Sequence, residues 1–355
     1  MAYGVINSDL MTTSDGVSSA GLYGMKNRII NGGMQIDQRN AGASITPVTA
    51  QYTVDRWQCA LTAASKYSVQ QNAGSVTPPA GFITYLGITS LSSYSILTGD
   101  SFRIQQPIEG SNIADLAWGT ASAASVTLSF WVRSSLTGTF GGALQNSGGN
   151  RSYPFTYTIS AANTWEQKSV TIAGDTTGTW LTTNGVGVYV ILSLGTGATY
   201  SGTAGAWAGA NYFTAPGATS LVGTSGATLL ITGVQLERGS VSTSFDFRDY
   251  GREFMLCQRY CRTLVNGSAV GVTWNTTSSS LISFGVPMRV TPTISTTSGF
   301  TTLTSSNIAL TGIAVSTFGQ DGSVYLGCTV ASGYAAGGAC ILSAAPTNAN
   351  LSAEF

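Results

Sequence analysis

The sequence predicts an all-β protein, an antiparallel sandwich followed by a short helix and a smaller β region, and three observations lead there. Short runs of alternating apolar and polar residues recur along the chain. Glycine is abundant, 44 of 355 residues, and falls heavily between those runs. Helical spacing is convincing at one place only. Alternation puts successive side chains on opposite faces of a sheet, and glycine supplies the positive-φ positions of tight connections.

The clearest strand is SVTLSFWVR at 125–133, where Val126, Leu128, Phe130 and Val132 share one face. SYPFTYTI follows with Tyr153, Phe155, Tyr157 and Ile159 in phase, then QKSVTI near 170. VGVYVILSL at 186–194 aligns Val186, Val188, Val190, Leu192 and Leu194, and TLLITGVQLE at 228–237 closes the series. GTFGG at 138–142, NSGGN at 146–150 and the long glycine- and alanine-rich stretch at 195–210 read as turns and loops between them. These strands lie in a domain spanning residues 25–248. Residues 1–24, polar and without a period, read as an arm that docks on a partner.

The helix begins near Asp249, a good cap, with Glu253 in its first turn. Phe254, Cys257, Cys261 and Leu264 follow at helical spacings and form an apolar seam over a linker helix at 249–264. That seam either packs on the preceding sheet or meets its own copies around a symmetry axis. Residues 265–355 form a second β domain, with GVTWN, SLISFGVP, TPTIST, SVYLGCTV and GGACILSA as strands. Its only charges are Arg289, Asp321 and Glu354, so burial against identical partners explains its surface best, as an oligomerisation or tip domain.

Charge and composition exclude several chemistries. Charged residues are 8% of the chain against about 25% in an ordinary soluble domain. Fifteen basic and fifteen acidic residues cancel and no basic stripe exists, which argues against nucleic-acid binding. Histidine is absent, so the commonest general base and transition-metal ligand is missing. No pair of carboxylates shares a strand face beside aromatic subsites, as a glycosidase would require, and no GxSxG stands at a strand-to-helix junction. The expectation is a protein that is not an enzyme. Cys59, Cys257, Cys261, Cys328 and Cys340 lack CxxC spacing and read as free thiols, with Cys328 and Cys340 alternatively paired between neighbouring strands. Neither a secretory leader nor a stretch of about 20 apolar residues is present, so no membrane insertion is expected.

The blocks NRIINGGMQIDQRNAG at 27–42, YTVDRW at 52–57, SFWVRSSLTGTF at 129–140, ANTWEQKSVTIAGDTTGTW at 162–180 and TGVQLERGSVSTSFDFRDYGREFMLCQRY at 232–260, in this order, resemble a family of bacteriophage virion-surface and tail fibre proteins. The resemblance spans roughly residues 25–262. It implies a carbohydrate-binding-module-like jelly roll in the first domain, and a place in the virion after assembly in the host cytoplasm. A tail fibre or tail-associated protein is the leading role it implies, with a capsid head fibre or decoration protein as the alternative and a polysaccharide depolymerase as a second. The implied partners are further copies of the chain as a homotrimer, other virion proteins through residues 1–24, and host surface glycans. Jelly rolls of this type can hold a structural calcium ion, for which the sequence assigns no ligands.

A sugar site needs an aromatic ring to cover the apolar face of a pyranose and amides to meet its hydroxyls. The loop at 195–227 carries Trp207, Tyr212 and Phe213 beside Asn211. Trp207, Tyr212 and Asn211 are the residues the sequence selects for carbohydrate contact.

Overall fold

A computed structural model describes residues 25–283, 285–296, 298–319, 322–344 and 349–355; the docking arm expected at 1–24 lies outside the described residues. The chain divides into two compact units. The first takes the described residues up to Gln35 and Gly42–Arg248, and the second takes Ile36–Ala41 and Asp249–Phe355.

The first unit is a jelly-roll sandwich of ten strands: β1 (Gln58–Leu61), β2 (Tyr67–Gln71), β3 (Leu86–Ser90), β4 (Ser101–Glu109), β5 (Val126–Ser134), β6 (Gly138–Gln145), β7 (Ser152–Ile159), β8 (Glu166–Ile172), β9 (Val186–Thr196) and β10 (Thr228–Arg238). One sheet has the order β1-β4-β9-β6-β7 and the other β2-β3-β10-β5-β8. Neighbours within each sheet run antiparallel. The alternation seen in the sequence sets the faces: Val126, Leu128, Phe130 and Val132 of β5 meet Phe102, Ile104, Val188, Val190 and Leu192 of the facing sheet in one buried cluster. At about 25 cal/mol per Å² of apolar surface, this inward face is the main stabiliser of the unit.

The NRIINGGMQ segment is fixed by close approach to β10. Asn27 donates to the Val234 carbonyl at 3.1 Å and accepts from the Leu236 amide at 3.1 Å. A Cβ on Gly32 would stand 2.2 Å from the Val234 oxygen, so only glycine fits there. Val234 lies in a bulge between Thr232 and Gln235 in the pairing of β10 with β5.

GTFGG is not a turn: it begins β6. A Cβ on Gly142 would lie 2.2 Å from the Ile191 oxygen and 2.5 Å from the Phe155 ring, and one on Gly141 would lie 2.1 Å from Thr214 Oγ1. These glycines let strands and a loop approach β6 closely.

In the second unit, α1 (Tyr250–Gln258) is capped by Asp249, whose side chain accepts from the Arg252 amide at 2.9 Å. Ten strands follow: β11 (Cys261–Thr263), β12 (Val270–Thr273), β13 (Ser278–Ser283), β14 (Thr293–Ile294), β15 (Thr301–Leu303), β16 (Asn307–Ala309), β17 (Gly312–Phe318), β18 (Val324–Thr329), β19 (Ala339–Ala344) and β20 (Asn350–Ser352). The helix therefore stops short of the expected 264. Cys261 pairs with Ser352 in a β11–β20 ladder, and the Tyr260 carbonyl accepts from the Ala353 amide at 2.7 Å. The expected seam is corrected accordingly: Cys257, Cys261 and Leu264 are buried within this unit, on three different local structures, and Phe254 alone remains half-exposed on the helix. Ile36–Ala41, assigned by sequence to the sandwich, belongs here because Gln38 donates to the Cys261 carbonyl at 2.8 Å and Arg39 pairs with Glu354 at 3.1 Å.

Seven of these strands form a sheet of order β16-β15-β19-β12-β13-β18-β17. Its first and last members are joined through Leu310 and Thr311 alone, so the sheet curls back toward itself like a barrel. Leu281, Leu326, Cys328, Cys340 and Leu342 fill its interior. Cys328 and Cys340 are not on neighbouring strands, since β12 and β13 separate β19 from β18, and both thiols are free and buried. On the outward face the register aligns Leu303, Ile341, Val270, Ile282 and Tyr325 in one row across five strands. Val272 and Trp274 extend that apolar surface and are exposed.

Candidate functional site

The inward side chains of β4 and β9 leave Arg103, Gln105, Tyr189 and Ser193 on the outward face of their sheet, because residues two apart point the same way. Register sets Gln58 opposite Gln105 and Gln145 opposite Tyr189. The result is a polar strip running across β1, β4, β9 and β6. The loop after β9 borders it, with Thr214 lying over Gly141 and Phe213 over Arg103. Strip and loop enclose a groove of about 240 Å³, also bounded by the Ser147–Gly149 turn and Asn211.

The amides and the guanidinium in and beside the groove are fixed by hydrogen bonds among themselves and to their neighbours. Gln105 Nε2 donates to Gln58 Oε1 at 2.7 Å, and Gln145 Nε2 donates to Asn211 Oδ1 at 2.6 Å. Arg103 Nε donates to Gln105 Oε1 at 2.9 Å and its Nη1 to Ser101 Oγ at 2.5 Å. The guanidinium carbon stands 3.8 Å from the Phe213 ring centre, and Phe213 stacks in turn on Tyr200 at 4.9 Å. Burial pulls the Arg103 guanidinium down to about 10, against the opposing influence of the Tyr67, Tyr189 and Tyr200 phenols, so it stays charged at neutral pH. Burial likewise pushes the Tyr189 phenol up, with Arg103 opposing. A fixed row of amides, one cation and the half-buried Tyr189 ring can meet hydroxyls and one apolar ring face.

The structure splits the residues selected from the sequence. Asn211 enters the groove, while Trp207 and Tyr212 line a separate cleft of about 470 Å³ with Ser201, Thr203 and Pro216. Trp207 is chiefly an anchor: its indole N–H donates to the Ala173 carbonyl at 2.7 Å, and its ring meets Trp118, Tyr153 and Trp180 edge to face at 5.3–5.5 Å. Tyr212 lies against Gly202, where a Cβ would come within 2.1 Å of the ring. Gln58, Arg103, Gln105, Gln145 and Tyr189 were not selected. Tyr189 stands in the outward phase of the alternating β9 run, whereas Arg103 and Gln105 belong to the polar run of β4 and Gln145 ends the glycine-bearing β6.

The carboxylates are engaged elsewhere. Asp175 accepts from Arg151 at 2.5 and 2.8 Å and from Trp180 Nε1 at 3.3 Å. Asp100 accepts from Tyr94, Thr62 and the Leu97 amide. Among the described residues, no three or more Asp, Glu, Cys or His side chains gather as a metal site would require. No helix among the described residues is long and apolar enough to cross a membrane.

Fold and groove together define the class: a jelly-roll β-sandwich with a polar groove on one outward sheet face. No family model and no curated protein sequence matches the chain. Among solved structures it is similar to the enzymatically active domain of tailspike protein 4 of bacteriophage CBA120, at 12% identity and TM-score 0.33, over 60% of this chain and 21% of that one. It is similar also to TmCBM61 in complex with β-1,4-galactotriose, at 11% identity and TM-score 0.31, over 60% and 99% of the two chains. A third is the family 11 carbohydrate-binding module from Clostridium thermocellum in complex with a β-1,3-1,4-mixed-linked tetrasaccharide, at 9% identity and TM-score 0.28, over 56% and 97%. The fold assignment rests on the strand order and register given above.

Proposed function

We propose that this chain is a non-catalytic glycan-binding component of a bacteriophage particle, a tail fibre or tail-associated surface protein that contacts host surface sugars. The observation that carries the binding role is the row of fixed amides, Gln58, Gln105, Gln145 and Asn211, beside Tyr189 on an outward sheet face. Glutamine and asparagine side chains both donate and accept, which suits sugar hydroxyls, and their mutual hydrogen bonds reduce the entropy lost on binding. The groove lining contains no carboxylate, whereas glycosidic hydrolysis uses a pair of them, which supports binding without turnover. The virion role is supported by the motif blocks between residues 27 and 260, which resemble phage surface proteins.

Self-association, as a homotrimer, belongs to the same proposal. It is supported by the apolar row Leu303, Ile341, Val270, Ile282 and Tyr325 on a sheet whose described strands carry no charged residue. Several copies on a particle would multiply a weak single-site affinity.

Affinity electrophoresis through gels containing bacterial surface polysaccharides tests the binding role. Retardation of the wild-type chain by at least one polysaccharide, relieved by Gln145→Ala, is expected. Uniform migration with every polysaccharide would reject it, and release of reducing ends during incubation would reject the non-catalytic reading.

A further inference from the structure

We infer that the groove takes a sugar bearing an anionic substituent, with Arg103 as its counter-ion; this rests on the reading of the groove as a glycan site. The chain has few charges, and four of its twelve arginines are matched to carboxylates among the described residues. Arg28 pairs with Asp115, Arg151 with Asp175, Arg39 with Glu354 and Arg248 with Asp246. Arg262 and Arg289 donate to backbone carbonyls, the former to Val286 and Gly322, the latter to Ala353 and Glu354.

Arg103 differs from the four ion-paired arginines and lines the groove. Its side-chain partners are two neutral oxygens, Gln105 Oε1 and Ser101 Oγ, and no carboxylate lies within ion-pairing distance of it among the described residues. A guanidinium has five N–H donors and these two bonds use two, which leaves three without an acceptor among the described residues. Phe213 covers the guanidinium at 3.8 Å and limits its access to water. A partly desolvated cation without a counter-ion, in the wall of a groove that holds no acid, is an electrostatic vacancy for an anion. The two existing bonds and the Phe213 ring also fix the plane of the fork, so a carboxylate or sulfate oxygen would meet it without further ordering. Gln105, Gln145 and Asn211 would then serve the hydroxyls of the same or adjoining sugar. A neutral sugar would use the amides and leave the cation unmatched.

The experiment is a binding titration of the full chain against acidic oligosaccharides, each beside its neutral counterpart: uronate oligomers with their methyl esters, and O-sulfated oligomers with their desulfated forms. Charged hydrogen bonds of this kind predict a loss of about 10- to 100-fold on neutralising the sugar. The same titration with Arg103→Gln is expected to erase that difference, and Arg103→Lys to retain part of it, since the charge remains while the planar fork is lost. Raising salt is expected to weaken the acidic ligand more than the neutral one. The uronate and sulfate arms separate the two sources of negative charge. Binding of neutral sugars with no penalty for esterification or desulfation overturns the inference and leaves the glycan reading standing. Binding of no oligosaccharide overturns that reading as well. If Arg103→Gln fails to fold, the paired titrations of the wild-type chain decide the matter.

Discussion

Replacing Asp175 by Asn removes the charge that organises the turn leading to Trp180. Asp175 accepts two hydrogen bonds from Arg151, at 2.5 and 2.8 Å, and further ones from the Thr177 amide and hydroxyl and from Trp180 Nε1. The carboxylate side chain is 2% exposed and Arg151 is 19% exposed. Removing one partner of a fully buried pair costs about 3–5 kcal/mol, and the partial access of water to Arg151 lowers that to about 2–3 kcal/mol. For a unit of this size the melting temperature should drop by about 4–12 °C. Burial alone would push the Asp175 carboxyl up, but the Arg151 hydrogen bond, the Thr177 donors and the Arg151 charge outweigh it and hold the carboxyl below its ordinary 3.8. A depressed carboxylate contributes stability above its unfolded value and loses it as pH falls through the folded one. The gap between wild type and Asp175→Asn should therefore be constant from neutral pH to about 5 and close below about 4. Thermal unfolding followed by tryptophan fluorescence reads this well, since Trp180 packs against Trp118 and Trp207. A variant melting within a degree of wild type at neutral pH, or a gap that widens toward acid, would refute the reasoning.

Other expectations can be checked alongside. Gly202→Ala places a methyl 2.1 Å from the Tyr212 ring, so it should destabilise the first unit by about 1–3 kcal/mol in denaturant unfolding, and an unchanged midpoint would contradict the close packing. If the chain self-associates as proposed, Val270→Glu and Ile282→Glu set charges in the outward apolar row and should lower the mass seen in light scattering to that of a monomer; a wild-type chain already monomeric at micromolar concentration would dismiss self-association. Burial pushes the Cys328 thiol up to about 12, so it should resist thiol reagents at pH 8 until the protein is denatured, when all five cysteines should react; three reactive thiols would indicate a disulfide.

Strands with clean alternation were legible in the sequence, and β5, β7 and β9 appear where their apolar residues fall in phase, while β10 appears where its apolar run was read although a bulge switches its phase. Two central strands of the groove sheet were hidden by their chemistry. β6 carries Gly141 and Gly142 for close approach, which resembles a turn. β4 carries Gln106, which is buried and exchanges two hydrogen bonds of 2.8 Å with the Ile30 backbone, so a polar run conceals a core strand. The start of α1 was legible because Asp249 is a local cap, whereas its end depends on pairing with β20 about 90 residues further on, which no local pattern encodes. The aromatic candidates were visible by type, but whether Tyr212 or Asn211 faces the groove follows from how the loop crosses β6. Arg103, Gln105, Gln145 and Tyr189 come together only through register across three strands.

The most direct test of the groove as the binding face is hydrogen exchange on the full chain with and without a saturating oligosaccharide ligand. Slowed exchange is expected in peptides covering 101–109, 141–150 and 186–196, with the C-terminal unit unchanged. Slowing confined to 201–208 around the Trp207 cleft, or to strands of the C-terminal unit, would contradict it.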